Sequence, residues 1–132
     1  MQSIEQWSDF QLTMANGRQV RSTHFVLHQW QGVHQPHAGP GFEKAPALIA
    51  EKRLGVVVPK RLAKKAVTRN LIRRQAKSLM QLAQAQVPTA YYVVRLRSAF
   101  STREHLSASS RGLKQAVRHE LTQLMNQIKA TA

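Results

Sequence analysis

Between Lys52 and Lys77 the chain carries ten Lys and Arg residues and no Asp or Glu. A folded surface normally mixes the two signs. Opposite charges four apart stabilise a helix, and like charges there weaken it. A one-sign run fits a fold if it lines one side of an element whose other side is anchored in a core, and if a polyanion lies against it. Residues 66–84 meet the first condition. At 3.6 residues per turn, Arg69, Arg73 and Lys77 stack on one side, with Asn70 and Arg74 beside them. Val67, Leu71, Leu79 and Leu82, flanked by Ile72, fall opposite. The spacing predicts a helix that docks on a sheet and offers guanidinium forks and one amide outward.

The rest of the chain supplies the sheet and its cover. Residues 3–16 read as a first helix, with Ser3 as cap, Ile4, Trp7, Phe10 and Met14 at helical spacing, and Asn16-Gly17 as the stop. Residues 22–30 read as a strand centred on Phe25, Val26 and Leu27. The stretch 32–46 is rich in Gly, Pro and His and reads as an inserted flexible loop. Residues 47–50 and 53–58 have strand length and apolar content, and Pro59 ends the second. Lys60 to Lys65 form a basic loop, and Tyr91 to Leu96 are β-branched and aromatic, as strands are. In 107–129, Leu113, Val117, Leu121, Leu124 and Ile128 make one helical face. The order αβββαβα predicts a single α+β domain over residues 1–132, a mostly antiparallel central sheet packed by helices.

Charge narrows the function. The 132 residues hold 20 Lys and Arg against 6 Asp and Glu, a net charge of +14. Nucleic acid is the leading partner, and an anionic membrane surface is the competitor. The apolar face of the basic helix lacks aromatics and is needed for the core, which weakens the membrane reading. There is no cysteine, which excludes disulfides, thiolate zinc sites and a cysteine nucleophile and fits a cytoplasmic protein. The first ten residues contain Glu5 and Asp9 and lack a signal-peptide pattern. The acids are few, and Glu43 and Glu51 lack partners for a two-metal centre. His34 and His37 have no third ligand nearby, so no metal site and no catalytic residue is assigned. A self-sufficient nuclease is therefore disfavoured. A non-catalytic RNA-binding module such as a ribosomal protein shares the charge and stays open as the alternative.

The stretch from Arg53 to Arg74 resembles the signature of the bacterial ribonuclease P protein family. That signature is a strand with R-x-G, a basic turn, then K-A-V-x-R-N-x-[IV]-[KR]-R opening a long helix. Arg53, Gly55, Lys60, Arg61, Lys65, Ala66, Val67, Arg69, Asn70, Ile72, Arg73 and Arg74 match it. Asp9-Phe10, Gly17, Phe25-Val26-Leu27 and Tyr92-Val93-Val94-Arg95 follow the family's order, so the likeness covers residues 3 to 129. Leu71 stands where a third basic residue is usual, Pro59 where a small polar one is, His28 where Tyr is common and Met14 where a second Phe is.

The resemblance implies a protein subunit of an endoribonuclease holoenzyme that removes the 5′ leader of precursor tRNA. The RNA subunit would hold the catalytic Mg2+ and cleave. The implied partners are that RNA and the leader, with no membrane and no DNA. Lys60, Arg61, Lys64, Lys65, Arg69, Asn70, Arg73, Arg74 and Lys77 would bind the RNA subunit, and Lys52 and Arg53 would reach leader phosphates. Phe10, Met14, Phe25 and His28 would line a groove for the leader, where aromatic rings stack on bases. The resemblance also implies a left-handed crossover at the basic helix, against the usual right-handed rule.

Overall fold

Along the strand Phe25–Trp30 successive side chains point to opposite faces of a sheet, yet all except Gln29 are buried. Such a strand needs cover on both sides. The computed structural model describes residues 1–32, 49–100 and 111–130 and provides that cover. In chain order the elements are β1 (Gln2–Ser3), α1 (Trp7–Asn16), β2 (Arg18–Arg21), β3 (Phe25–Trp30), β4 (Arg53–Val57), α2 (Ala66–Ala83), β5 (Tyr91–Leu96) and α3 (Arg111–Ala130). A 3-10 turn, Gln84–Gln86, closes α2.

The sheet is mixed, in the order β1-β4-β5-β3-β2. The longest ladder is the antiparallel β3–β5 pair, running from Phe25 opposite Leu96 to Trp30 opposite Tyr91. β2 is antiparallel to β3, while β4 is parallel to both β5 and β1. Helix α2 is the crossover between the parallel strands β4 and β5.

Register then sorts every strand residue onto one of two faces. Val20, Phe25, Leu27, Leu54, Tyr92, Val94 and Leu96 join one core with the buried faces of α2 and α3. On α3 those are Leu113, Val117, Leu121, Leu124 and Ile128, the stripe that the sequence spacing predicts. The other face carries Arg21, Val26, His28, Trp30, Gly55, Tyr91, Val93 and Arg95, with α1 against β3 and β5.

Several boundaries differ from the sequence expectation. The first helix begins at Trp7, and Ser3 belongs to a strand rather than a cap. The outer edge of β4 offers unpaired backbone groups, and the N-terminal residues satisfy them, down to an Ile4 N–H to Leu54 O bond of 3.0 Å. The expected strand 22–30 is preceded by a separate edge strand, β2. Ser22 N–H donates to Phe25 O at 2.9 Å in the turn between the two. Ile49 and Ala50 are not in a strand, and Ile49 N–H bonds Gln31 O at 3.0 Å. Residues 47 and 48, the loop 33–46 and the first turn of the helix expected from 107 lie outside the described residues.

One close backbone approach and one polar cluster lock the layers. Gly17 ends α1 where a Cβ would meet Thr13 O at 2.4 Å and Gln29 O at 2.9 Å, so the helix end presses directly on β3. Glu120 on α3 holds the β2–β3 turn. Its Oε1 accepts from Ser22 Oγ at 2.6 Å and His24 N–H at 2.9 Å, and its Oε2 lies 2.6 Å from His24 Nδ1. Glu120→Ala strands these partners. It should cost about 2 kcal/mol of stability in urea denaturation, and a loss under ~0.5 kcal/mol would show that the contacts are solvated in practice.

Candidate nucleic-acid interface

Helix α2 is rotated about a quarter turn from the expected seating. Its buried stripe is Ile72, Ala76, Leu79, Met80 and Ala83, joined by Leu71, while Val67 is 50% and Leu82 72% exposed. The small residues Ala76 and Ala83 let the helix approach its neighbours, a preference that side-chain size alone conceals. The rotation decides which cations face out. Asn70, Arg74 and Lys77, at i, i+4 and i+7, are exposed, and Arg69 and Arg73 sit half-buried on the flank.

Not every basic residue of the segment is equally available. Arg69 Nη1 donates to Ala63 O at 2.8 Å and Lys64 O at 2.9 Å, clamping the preceding loop onto the helix. Pro59 O starts that loop by accepting from Leu62 and Ala63 N–H, which buries Ala63 and leaves Lys60, Arg61, Lys64 and Lys65 exposed. Lys52 Nζ donates to Gln84 O at the C-terminal end of α2, where a cation complements the helix dipole. Arg53 forks onto Glu51 Oε1 at 2.7 and 2.9 Å and donates to Ser3 O at 3.2 Å. Lys52 and Arg53, expected to reach a leader, are tied to the protein's own backbone and to Glu51. Lys65 at the N-cap makes no side-chain capping bond and the first turn holds no acid, so the α2 N-terminus is electropositive as well.

The expected aromatic groove is divided by the sheet. Phe25 is fully buried and faces α2 and α3, because strand alternation sends it away from α1. It cannot line a groove. Phe10 and Met14 are half-buried on α1. The Phe10 ring lies on Gly55, where a Cβ would come within 2.2 Å of it. Trp7, expected to pack inward, is 60% exposed, with its ring 5.7 Å from that of Phe10.

His28 is on the α1 face but only 1% exposed. Arg95 Nε donates to its Nε2 at 3.4 Å, so the ring proton belongs on Nδ1, which is buried with no hydrogen-bond partner among the described residues. Burial, and then the charges of Arg95 and Arg21, push its pKa down to about 4. His28 is thus a neutral support, not a ligand contact. Neither Arg21 nor Arg95 is assigned a role from the sequence, although Arg95 lies in the strand that follows the family's order. The available signal was alternation, since Arg95 shares a face with Val93 and Tyr91 in an otherwise apolar strand.

The same face is polarised. Glu51 and Glu5 act on Arg53, and Asp9 on Tyr91, at the end where β4 and β5 begin. Arg21 and Arg95 occupy the opposite end, where β4 runs into Lys60 and Arg61. Among the described residues no three His, Asp or Glu side chains cluster as metal ligands would, and no helix is long and apolar enough to cross a membrane. His34 and His37 lie outside the described residues.

The motif of β4, basic loop and α2 now stands in one piece of structure, and a family model for ribonuclease P matches residues 1–129. The chain belongs to the ribonuclease P protein family. It is 34% identical over 104 residues to the ribonuclease P protein component of Ralstonia pickettii, covering 79% of this chain and 62% of that one. It is 37% identical over 76 residues to that of Paraburkholderia xenovorans, covering 58% and 55%. The chain thus spans about three fifths of the curated relatives it matches. Solved ribonuclease P proteins share the fold. The Staphylococcus aureus structure gives a TM-score of 0.66 at 19% identity, over 96% of this chain and 94% of that one. The Thermotoga maritima structure gives 0.64 at 21% identity, over 97% and 98%.

Proposed function

We propose that this chain is the protein subunit of ribonuclease P and assists removal of the 5′ leader from precursor tRNA. The observation that carries the reading is the acid-free cationic surface of the basic loop and the outer row of α2, within a chain of this family. Lys60, Arg61, Lys64, Lys65, Asn70, Arg73, Arg74 and Lys77 bind phosphate and ribose of the catalytic RNA subunit. Arg69 contributes by presenting the loop. The α1 face of the sheet receives the single-stranded leader, with Phe10 and Met14 at its wall. The RNA subunit supplies the Mg2+-dependent cleavage, and the setting is the cytoplasm.

Reconstitution tests this. The protein added to a bacterial ribonuclease P RNA should restore 5′ maturation at near-physiological Mg2+, where the RNA alone is slow. No stimulation, together with preferential recovery of ribosomal RNA from cells, would favour a ribosomal role. Phe10→Ala should weaken holoenzyme binding to leader-bearing precursor by about fivefold to tenfold, the loss of roughly one stacking contact, and leave mature tRNA unchanged. Equal loss for both would remove the groove assignment.

A further inference from the structure

The geometry points to Arg21 and Arg95 as a two-armed clamp for one phosphodiester of the leader, with His28 as the positioning residue that aims Arg95. The inference rests on the α1 face being the leader's path and adds the subsite that fixes its register. Arg21 and Arg95 both pair with Val26 across the sheet, so all three lie in one row on one face. Strands are about 4.8 Å apart, which sets the two arginine Cα atoms roughly 10 Å apart. Two long side chains at that separation can converge on a single phosphate.

Val26 is completely buried between them and gives the pair an apolar floor. Arg21 is exposed and spends one N–H on Gln19 Oε1 at 2.9 Å, while Arg95 is half-buried and leans on His28. Among the described residues neither guanidinium has a carboxylate within ion-pair distance; those ion pairs are His24–Glu120 and Arg53–Glu51. Two like charges held close over an apolar floor repel, and an anion between them relieves the repulsion. Among the described residues the acids of this face gather at its far end beside Arg53, so a polyanion is attracted more strongly at the Arg21–Arg95 end.

Position separates the leader from the RNA subunit as the source of that phosphate. Helix α2 covers one face of the sheet and presents its basic row outward from it, whereas the clamp lies on the opposite face, the one α1 packs on. The loop from Lys60 to Lys65 leaves β4 at the end the two surfaces share. RNA bound along α2 therefore does not occupy the clamp, but a strand entering the α1 face from that end does.

His28 gives Arg95 an acceptor where water cannot compete. A neutral imidazole with Nε2 free to accept is required, and burial between two cations keeps the ring neutral. A phenylalanine there would fill the space but leave Arg95 without its support.

The experiment uses holoenzyme reconstituted with a ribonuclease P RNA and precursor tRNAs in which single leader phosphates are replaced by uncharged methylphosphonate. In the wild type, neutralising one position should lower affinity about tenfold, with little effect elsewhere. Arg95→Ala should lower affinity for leader-bearing precursor about tenfold, spare mature tRNA, and abolish the sensitivity at that position. Arg21→Ala, an exposed change, should give the same pattern and covers the case that Arg95→Ala does not fold. The two together should flatten the salt dependence of leader binding by about 1 to 1.5 in log–log slope. His28→Phe should lose the same position's sensitivity, and His28→Gln, which keeps an acceptor, should restore part of it.

A wild-type phosphate profile that survives Arg95→Ala and Arg21→Ala overturns the clamp and leaves the leader path standing. Equal losses for precursor and mature tRNA assign the phosphate to another RNA and also overturn it. A wild-type holoenzyme that binds precursor no better than mature tRNA removes the leader path and the clamp together.

Discussion

Arg74→Ala combined with Lys77→Ala should weaken binding to the ribonuclease P RNA by about one to two orders of magnitude at moderate salt. It should also lower the log–log salt slope by about 1.5 to 2. Both residues are exposed on the outer row of α2, and among the described residues neither joins the hydrogen bonds that tie down Lys52, Arg53 and Arg69. Their loss should therefore leave folding nearly untouched, within about 0.5 kcal/mol, and the relief of like-charge repulsion on the helix acts in the stabilising direction. Arg69→Ala is the contrasting variant. It removes the bonds to Ala63 and Lys64 carbonyls, so its effect on RNA should come with a looser loop and faster proteolysis between Lys60 and Lys65. Filter binding across a salt series reads both. If the Arg74/Lys77 variant keeps affinity and slope, the outer row is not the RNA surface.

Stability should fall by about 3 kcal/mol as pH drops from 7 toward 4, and His28 should account for that share of the loss. In the unfolded chain the imidazole takes up a proton near its ordinary pKa of 6.5, whereas in the fold its pKa is held down to about 4. Between those values the unfolded state binds more protons, so stability decreases as pH falls through the window and the contribution levels off below about 4. Each pKa unit of difference is worth about 1.4 kcal/mol. The cause is physical rather than specific: a buried ring between Arg95 and Arg21 cannot be charged cheaply. Urea denaturation of wild type and His28→Leu at several pH values isolates the contribution, since other titrating groups are common to both. Parallel stability curves from pH 7 to 4 would show that the ring is solvated on protonation.

Recognition of this chain came from residues close together in sequence. Arg53 to Arg74 carry a local pattern of strand, basic turn and helix, and each of these is fixed by short-range rules of alternation, proline placement and helical spacing. The α3 stripe from Leu113 to Ile128 was legible for the same reason. The seating of α2 was less so. Its large apolar residues Val67 and Leu82 suggested one face, and the alanines Ala76 and Ala83 took the buried place because close packing rewards small residues where helices approach a neighbour.

The ends of elements and the groove depended on partners far away in the chain. Gln2 and Ser3 pair with residues fifty positions on, which no local propensity encodes. Phe25 and His28 sit three apart in one strand, so alternation puts them on opposite faces, yet which face carries the helical core is decided only when β3 finds β2 and β5. Arg21 and Arg95 become neighbours through Val26 by the same pairing.

By itself, then, the sequence determined a basic α+β domain, its family and the acid-free cationic segment proposed to meet RNA, because charge and periodicity are carried by near neighbours. Tertiary structure alone decided which cations are free and which are spent on the fold, and where the α1 face keeps its arginines, because those depend on strand register and on hydrogen bonds between distant residues.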